Sequence, residues 1–468
     1  MDILLAHGYY LHQDAHERQI MRPYAPLGLL YLSSYLKSKG FDVGIYDSTF
    51  QTFPDFSQHL DEARAPVVGI YANMMTRATV LQMLPLCRER GATVVVGGPD
   101  PANYPEDYLE RGADVVVIGE GELTLEELLP HLARHGPRRL AGIRGLAYRE
   151  GDRVVTTPPR PYIQDLDGLP FPDRAAIDVG QYLDVWRQHH GEGSLSLITA
   201  RGCPYHCRFC SHAVFGYTHR RRSPENVADE VEELLHTYRP DTLWYSDDVF
   251  TLQRRWLSDF AASLKRRQIA IPFETTSRED RLDEEVVRTL AEMGARRVWI
   301  GAESGSQRIL DAMERDTDAE RVPEVVRLLQ RYGIQAGLFI MLGYEGEEIS
   351  DLEATLDLLR RSSPDLFLTT LAYPIKGTPY YAQVQDRVVS PKPWHLGSDR
   401  DHSVRGRRSS RFYRYATRWL VGEMSLHEHR LGRRQGRLSA AKALVNARLG
   451  RLGMSLTKGM VEGGRRRG

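Results

Sequence analysis

The chain has 468 residues, too many for one compact core, so two or three domains are expected. Hydrophobic residues make up 41% and charged residues 26%, an ordinary globular composition that excludes wholesale disorder. The 62 basic and 62 acidic side chains cancel unevenly: from Asp401 onward there are 17 basic and 4 acidic residues, so an acidic body carries a strongly basic tail. No run of about 18 apolar residues occurs, and the opening MDILLAHGYY has no basic leader, so neither a transmembrane helix nor a signal peptide is expected. Four cysteines, three of them within eight positions, cannot form a disulfide framework; this is the usage of a cytoplasmic metalloprotein.

In chain order, short apolar runs at 2–7, 41–46, 67–71, 93–96 and 115–118 predict strands. Helical spacing at 26–39, with Gly40 as a C-terminal cap, and at 75–90 and 105–111 fills the intervals. This β-α-β-α alternation predicts a doubly wound, Rossmann-like domain over residues 1–142, which would bind ligands beyond the carboxyl ends of its strands. Residues 143–190, dense in proline, read as a linker, because repeated prolines prevent helix and central strand alike. A second alternation over 191–375 has candidate strands at 195–199, 242–246, 272–275, 297–301, 337–342 and 366–371. Helical patterns at 224–237 and 283–293 separate some of them, and six such units predict a partial TIM-like barrel with its site at the strand ends. Residues 376–468 read as a helical, basic C-terminal region ending in a disordered GGRRRG.

The sharpest signal is Arg201-Gly202-Cys203-Pro204-Tyr205-His206-Cys207-Arg208-Phe209-Cys210, directly after the first strand of the second region. Three thiolates are one short of a closed four-cysteine iron–sulfur or zinc site, so one metal position stays open to a small molecule. The other cysteine, Cys87, sits on a predicted helix of the first region and reads as core. A zinc knuckle completed by His206 or His212 is the alternative for the three cysteines.

CxxxCxxC with an aromatic before the last cysteine, opening a six-unit barrel, resembles the radical S-adenosylmethionine superfamily, and the domain order resembles its cobalamin-binding subfamily. The resemblance covers roughly residues 1–375. It implies that Cys203, Cys207 and Cys210 hold a 4Fe–4S cluster whose fourth iron binds S-adenosylmethionine, and that one electron releases a 5′-deoxyadenosyl radical. Phe209 stands at the aromatic position near the adenine. Asp247 and Asp248, ending the second strand, stand where acidic or polar groups meet the methionine amino group, and two adjacent carboxylates suit a cationic partner. Gly301-Ala302-Glu303-Ser304-Gly305 matches the family's GxESG pattern, with Glu303 and Ser304 able to hydrogen-bond ribose or amino group. Arg278 matches a basic position common in the subfamily. The segment Met341-Leu342-Gly343-Tyr344-Glu345-Gly346-Glu347 resembles its late glycine-rich turn, with Glu345 where proline is usual.

In the first domain, residues 24–32, which include Gly28, resemble the entry to the first helix of the cobalamin domain. Gly97-Gly98-Pro99 and Gly119-Glu120-Gly121-Glu122 match its later turns, whose small residues would let a corrin lie against the strand ends. The DxHxxG pattern of a cobalt-ligating histidine is met only in part: Asp14-Ala15-His16 is followed by Gln19 where glycine belongs. The lower face is expected to lack a histidine ligand, with His7 and His12 as strand-end or surface residues.

The implied activity is functionalisation of an unactivated C–H bond by methyl transfer from methylcobalamin, using 4Fe–4S cluster, S-adenosylmethionine and cobalamin. A radical cyclase resembling the anaerobic magnesium-protoporphyrin monomethyl ester cyclase is the second reading, and a non-catalytic cobalamin or iron–sulfur sensor the third. A small-molecule substrate, large and apolar such as a lipid or tetrapyrrole, and an external electron donor such as flavodoxin or ferredoxin are the expected partners. Tyr380, Tyr381, Trp394, Phe412 and Tyr413 read as core before pocket lining. The basic tail shows no recognition motif and few interleaved aromatics, which argues against nucleic acid and leaves a solvated helical face or a peripheral contact with an anionic membrane.

Overall fold

The computed structural model describes residues 1–463, apart from the side chain of His16; residues 464–468, including the arginines of the final GGRRRG, lie outside the described residues. The chain divides into two compact units. The first comprises Met1–Pro204, Ser211–Ser246 and Lys392–Ser398, and the second Tyr205–Cys210, Asp247–Pro391 and Asp399–Gly468.

In the first unit, β1 (Ile3–His7), β2 (Val43–Tyr46), β3 (Val67–Tyr71), β4 (Thr93–Gly97) and β5 (Val115–Val117) form a parallel sheet. A hairpin of β6 (Leu146–Glu150) and β7 (Arg153–Thr156) extends it antiparallel, giving the order β2-β1-β3-β4-β5-β6-β7. The strands are apolar on both faces because both are covered. Along β1, Leu4 and Ala6 join one core with Phe56, Val80 and Tyr108, while Ile3 and Leu5 join the opposite core with Leu36, Leu128 and Leu132. Cys87 is buried in the first of these cores. The strand order reverses between β1 and β3, which places the ligand crevice of such a sheet at their carboxyl ends.

Residues 143–190 hold more regular structure than their prolines suggest. The hairpin β6–β7 precedes Pro158, and a helix over Val179–His190 follows the last proline, capped by the Asp178 carboxylate on the Gln181 N–H. The stretch between them is irregular apart from a short 3-10 helix at Arg174–Ala176. The same unit contains the parallel pair β8 (Ser194–Leu197) and β11 (Thr242–Tyr245), and a two-stranded hairpin of β9 (Ala200–Arg201) and β10 (Arg220–Arg221).

In the second unit, β12 (Phe273–Ser277), β13 (Ala295–Glu303), β14 (Gln335–Leu342) and β15 (Leu366–Leu371) are parallel neighbours in that order. Helices Arg254–Arg266, Glu284–Glu292, Arg321–Arg331 and Ile349–Ser362 alternate with them. The six parallel strands β8 and β11–β15 with their helices are the expected barrel units, and the fold class is α/β as expected. The register of β13 against β14 slips between Gly301 and Glu303, a bulge that ends the strand at the GxESG segment. Two long helices, Ser410–Arg430 and Arg437–Thr457, close the chain. Among the described residues no helix is long and apolar enough to cross a membrane.

Candidate active site

In the second unit, Tyr205–Cys210 is pinned by its backbone. The Arg208 N–H donates to the Met313 carbonyl (3.0 Å), the Tyr380 N–H to the Arg208 carbonyl (2.9 Å) and the Cys210 N–H to the Cys207 carbonyl (3.1 Å). Phe209 packs against the buried Ile309, Met313, Tyr344 and Tyr380. Arg278 lies 3.7 Å over the Tyr205 ring, and Arg281 Nε donates to the Tyr205 hydroxyl at 2.5 Å. Cys207 is buried, and Arg315 Nη1 stands 4.0 Å from its sulfur. A hydrogen bond with the Cys210 thiol, then the charges of Arg315 and Arg278, hold the Cys207 thiol down at about 6 against the opposing effect of burial. A thiolate at neutral pH is the form that ligates metal.

Around it, charges are gathered without being satisfied. Glu303 ends β13 with φ +60°, a left-handed conformation that costs an L-residue about 1–3 kcal/mol. Burial, then the neighbouring Cys207 and Glu279, push its carboxyl up to about 7 although Arg315 opposes them. Gly301 makes room for it: a Cβ there would lie 2.7 Å from Glu303 Oε1. Glu279 is buried with both oxygens lacking a hydrogen bond, 3.5 Å from Arg315. Arg278 is buried, donating to Asp280 (2.8 Å) and to the carbonyls of Arg315 and Asp316 (3.0 Å each), while its Nη1 has no hydrogen-bond partner. Asp247 is buried; Asp248 beside it keeps an exposed surface, yet crowding by surrounding protein and then the Asp247 charge raise its carboxyl. Ser304 is buried and its hydroxyl serves the turn, accepting from the Ser306 N–H (3.1 Å) and meeting Thr355 Oγ1 (3.3 Å). In the late glycine-rich turn, Glu347 accepts from the Gly343 N–H at 2.7 Å, its other oxygen lacks a partner, and burial pushes its carboxyl up to about 8.

The structure therefore brings Cys207, Cys210, Arg278 and Glu303 together, with Glu279, Arg315 and Tyr205, which sequence reading passed over. Glu279 adjoins Arg278 in the polar stretch after β12, and that density was its one signal; Arg315 belongs to no pattern. Cys203 is half-buried and belongs to the first unit. Among the described residues no group of three or more His, Cys, Asp or Glu side chains is gathered as a metal-ion site, a knuckle on His206 or His212 included.

In the first unit, the parallel strands β1–β5 present His7, Asp47, Tyr71, Gly97 and Gly119 at their carboxyl ends. Gly98 has φ +108°, and a Cβ on it would lie 2.4 Å from the Ala72 carbonyl, so only glycine lets Pro99 begin the next short helix there. Gly119 has φ +88°, a Cβ on Gly121 would meet Leu32 at 2.9 Å, and one on Gly28 would meet nothing within 4 Å. The open helix start and the narrow turns fit a flat ligand laid on the strand ends. Glu120 does not face that edge as a free group. It is buried, paired with Arg201 and Arg220 (2.8 Å each) and accepting from the Ile163 N–H (2.8 Å), while Glu122 pairs with Arg201 at 2.6 Å. His7 is buried at the end of β1, with Asp47 on Nε2 (2.9 Å) and the Ser48 hydroxyl on Nδ1 (3.1 Å), so both ring nitrogens are engaged. Against its desolvation, the His7 contact holds Asp47 low. His12 is exposed, and the His16 side chain lies outside the described ones. Of the C-terminal aromatics, Tyr380, Phe412 and Tyr413 are core, while Tyr381 and Trp394 are half-buried.

Two protein families match the chain. The radical SAM superfamily matches residues 197–359, and the B12 binding domain family matches residues 20–129. The chain is 31% identical over 374 residues to an uncharacterized methyltransferase of Pyrococcus horikoshii, covering 78% of this chain and 80% of that one. It is 25% identical to the anaerobic magnesium-protoporphyrin IX monomethyl ester cyclase of Cereibacter sphaeroides, covering 81% of this chain and 64% of that one. In fold it resembles the radical S-adenosylmethionine methyltransferase TsrM of Kitasatospora setae, solved with cobalamin and a [4Fe-4S] cluster, with a TM-score of 0.72 at 19% identity over 97% of this chain and 99% of that one. A lowered cysteine thiol among unsatisfied buried charges and an open glycine-lined strand edge fit a 4Fe–4S cluster with S-adenosylmethionine and a cobalamin, respectively; the chain belongs to the radical SAM superfamily, among the enzymes of that superfamily that carry a B12 binding domain.

Proposed function

We propose that the protein functionalises an unactivated C–H bond of a small organic substrate, by methyl transfer. The observation that carries this reading is the Cys207 thiol, held as thiolate by Cys210, Arg315 and Arg278 beside the Glu303 end of β13. When bound, the cluster with S-adenosylmethionine supplies one-electron cleavage chemistry and cobalamin supplies methyl transfer. Cys203, Cys207 and Cys210 would hold the cluster. Phe209 would serve the adenine, and Asp247, Asp248 and Glu303 would receive the cationic end of the methionine, with Ser304 shaping the turn. The unpaired Nη1 of Arg278 is available to a carboxylate. Gly28, Gly97, Gly98, Pro99, Gly119, Glu120 and Gly121 form the cobalamin edge, Glu120 by anchoring the turn through its arginines.

A large apolar substrate, lipid or tetrapyrrole, and a flavodoxin- or ferredoxin-like reductant are the proposed partners. The proposed site of action is the cytoplasm, with a peripheral membrane contact through the basic C-terminal region. With a substrate in hand, methyl transfer requires 5′-deoxyadenosine and S-adenosylhomocysteine in equal amounts with methylated product. Product without S-adenosylhomocysteine would instead favour the cyclase chemistry named for the Cereibacter relative.

A further inference from the structure

The helix Arg437–Thr457 has two unlike faces. One is built of small residues: Ala443, Ala447, Gly450 and Gly453 are buried against the helix Ser410–Arg430. The packing is close, since a Cβ on Gly450 would lie 2.5 Å from the Trp419 backbone nitrogen, and one on Gly453 would fall 2.3 Å from the Tyr415 ring. The other face carries Leu438, Val445, Leu449, Leu452 and Leu456, which are 89, 51, 41, 55 and 71% exposed. Their spacing of seven, four, three and four residues puts all five on one narrow stripe of a helix. A helix with large aliphatics turned to solvent and small residues turned inward is the reverse of a helix that merely covers a core.

The flanks of the stripe select its partner by charge. Arg437, Lys442 and Arg448 border it, Arg451 on the far side is held by Glu353 at 2.7 Å, and residues 431–461 contain no Asp or Glu. A second copy of this helix would bring cation against cation, and an apolar groove alone would not call for the arginines. Lys and Arg side chains beside a buried aliphatic stripe satisfy both demands at once at an anionic lipid surface, where the stripe enters the acyl boundary and the cations meet phosphate.

We propose that the helix Arg437–Thr457 lies in the interface of an anionic membrane, its Leu438–Val445–Leu449–Leu452–Leu456 stripe inserted and its flanking cations on lipid phosphate. This gives the proposed peripheral association a surface and is independent of the radical chemistry. The test is flotation of the full-length protein with vesicles of equal parts phosphatidylcholine and phosphatidylglycerol, against phosphatidylcholine alone. The expected result is about tenfold or more stronger binding to the anionic vesicles, weakened by salt. Val445→Asp with Leu452→Asp, both on exposed positions, removes that binding while leaving the thermal transition unchanged; Lys442→Gln with Arg448→Gln reduces it and flattens the salt dependence. Binding to neither vesicle overturns peripheral association itself, and equal binding to both overturns the anionic-lipid assignment. Undiminished binding by the aspartate pair overturns this helix as the surface and leaves association to another. A concentration-dependent dimer that the aspartate pair abolishes assigns the stripe to a second copy, and competition by glycerol 1-phosphate assigns the cations to a free phosphate; either overturns the lipid assignment.

Discussion

Cys87 and Cys207 are both buried, yet their thiols move in opposite directions. In the first unit, Cys87 sits among aliphatic side chains, and burial pushes its thiol up to about 12. In the second, Cys207 has a second thiol and two arginines within reach, and its thiol falls to about 6. The surrounding charges repeat the contrast. In the first unit carboxylates are matched to cations: Asp100 is gripped by Arg77 at 2.6 and 2.9 Å, Glu120 by Arg201 and Arg220, and Glu230 by Arg174 and Arg222. In the second, Glu279 stands 3.5 Å from Arg315 without a hydrogen bond, and one oxygen of Glu347 and Nη1 of Arg278 are buried without one. Nη1 of Arg174, Nη2 of Arg220 and Oε1 of Glu230 in the first unit also lack one, but they belong to side chains held in short ion pairs. Matched buried charges hold backbone in place, and unmatched ones are tolerated where a ligand completes them.

The largest effect should come from the thiolate itself. Cys207→Ala is expected to abolish 5′-deoxyadenosine formation in reconstituted protein, whereas Cys87→Ala should leave it unchanged and cost only packing, about 2 kcal/mol or less in urea unfolding. In metal-free protein the ultraviolet thiolate absorbance should rise with a midpoint near pH 6, a step missing from Cys207→Ala. A midpoint at the ordinary thiol value would remove the electrostatic contrast.

Breaking a matched charge is the next largest. Glu120→Gln or Glu230→Gln leaves buried arginines uncompensated and should cost about 3–5 kcal/mol in urea unfolding. A loss below about 1 kcal/mol would mean that these pairs are not dry. Gly98→Ala should act on the ligand edge instead: a Cβ 2.4 Å from the Ala72 carbonyl displaces the turn, and bound cobalamin should fall while the iron content stays the same.

Glu347 sharpens the unmatched side. Its carboxyl rises from the ordinary 4.5 to about 8, so between those values the native state keeps a proton that the unfolded chain has released. This group's contribution to stability is therefore full below about pH 4.5 and is lost as pH rises to 8. Glu347→Gln should be stabilised relative to wild type increasingly from pH 5 to pH 8, measured as a difference in Tm. A pH-independent difference would show that Glu347 is ionised throughout.

Much of this arrangement was legible in the sequence because it is local. The alternation of apolar runs with helical spacing gave β1–β5 to within a residue or two at each end, and CxxxCxxC stood out within eight positions. Gly98 could be read because a glycine in a turn states a backbone requirement directly. The pairing of charges could not. Arg201 and Glu120 are 81 residues apart, and Arg315 and Cys207 are 108 apart, so only the folded chain decides which carboxylate meets which arginine. Glu120, read from its turn as a ligand residue, is paired in the folded chain with Arg201 and Arg220. The hairpin β6–β7 was hidden for a different reason: its strands are short, and the prolines that follow it dominate the composition of the segment.

The most direct test is cofactor analysis of protein purified anaerobically and reconstituted. Iron, sulfide and bound cobalamin would be quantified, and 5′-deoxyadenosine measured after adding S-adenosylmethionine and dithionite. The account predicts about four irons with matching sulfide, one cobalamin and slow formation of 5′-deoxyadenosine. Protein that takes up neither cluster nor cobalamin, and leaves S-adenosylmethionine intact, would contradict it.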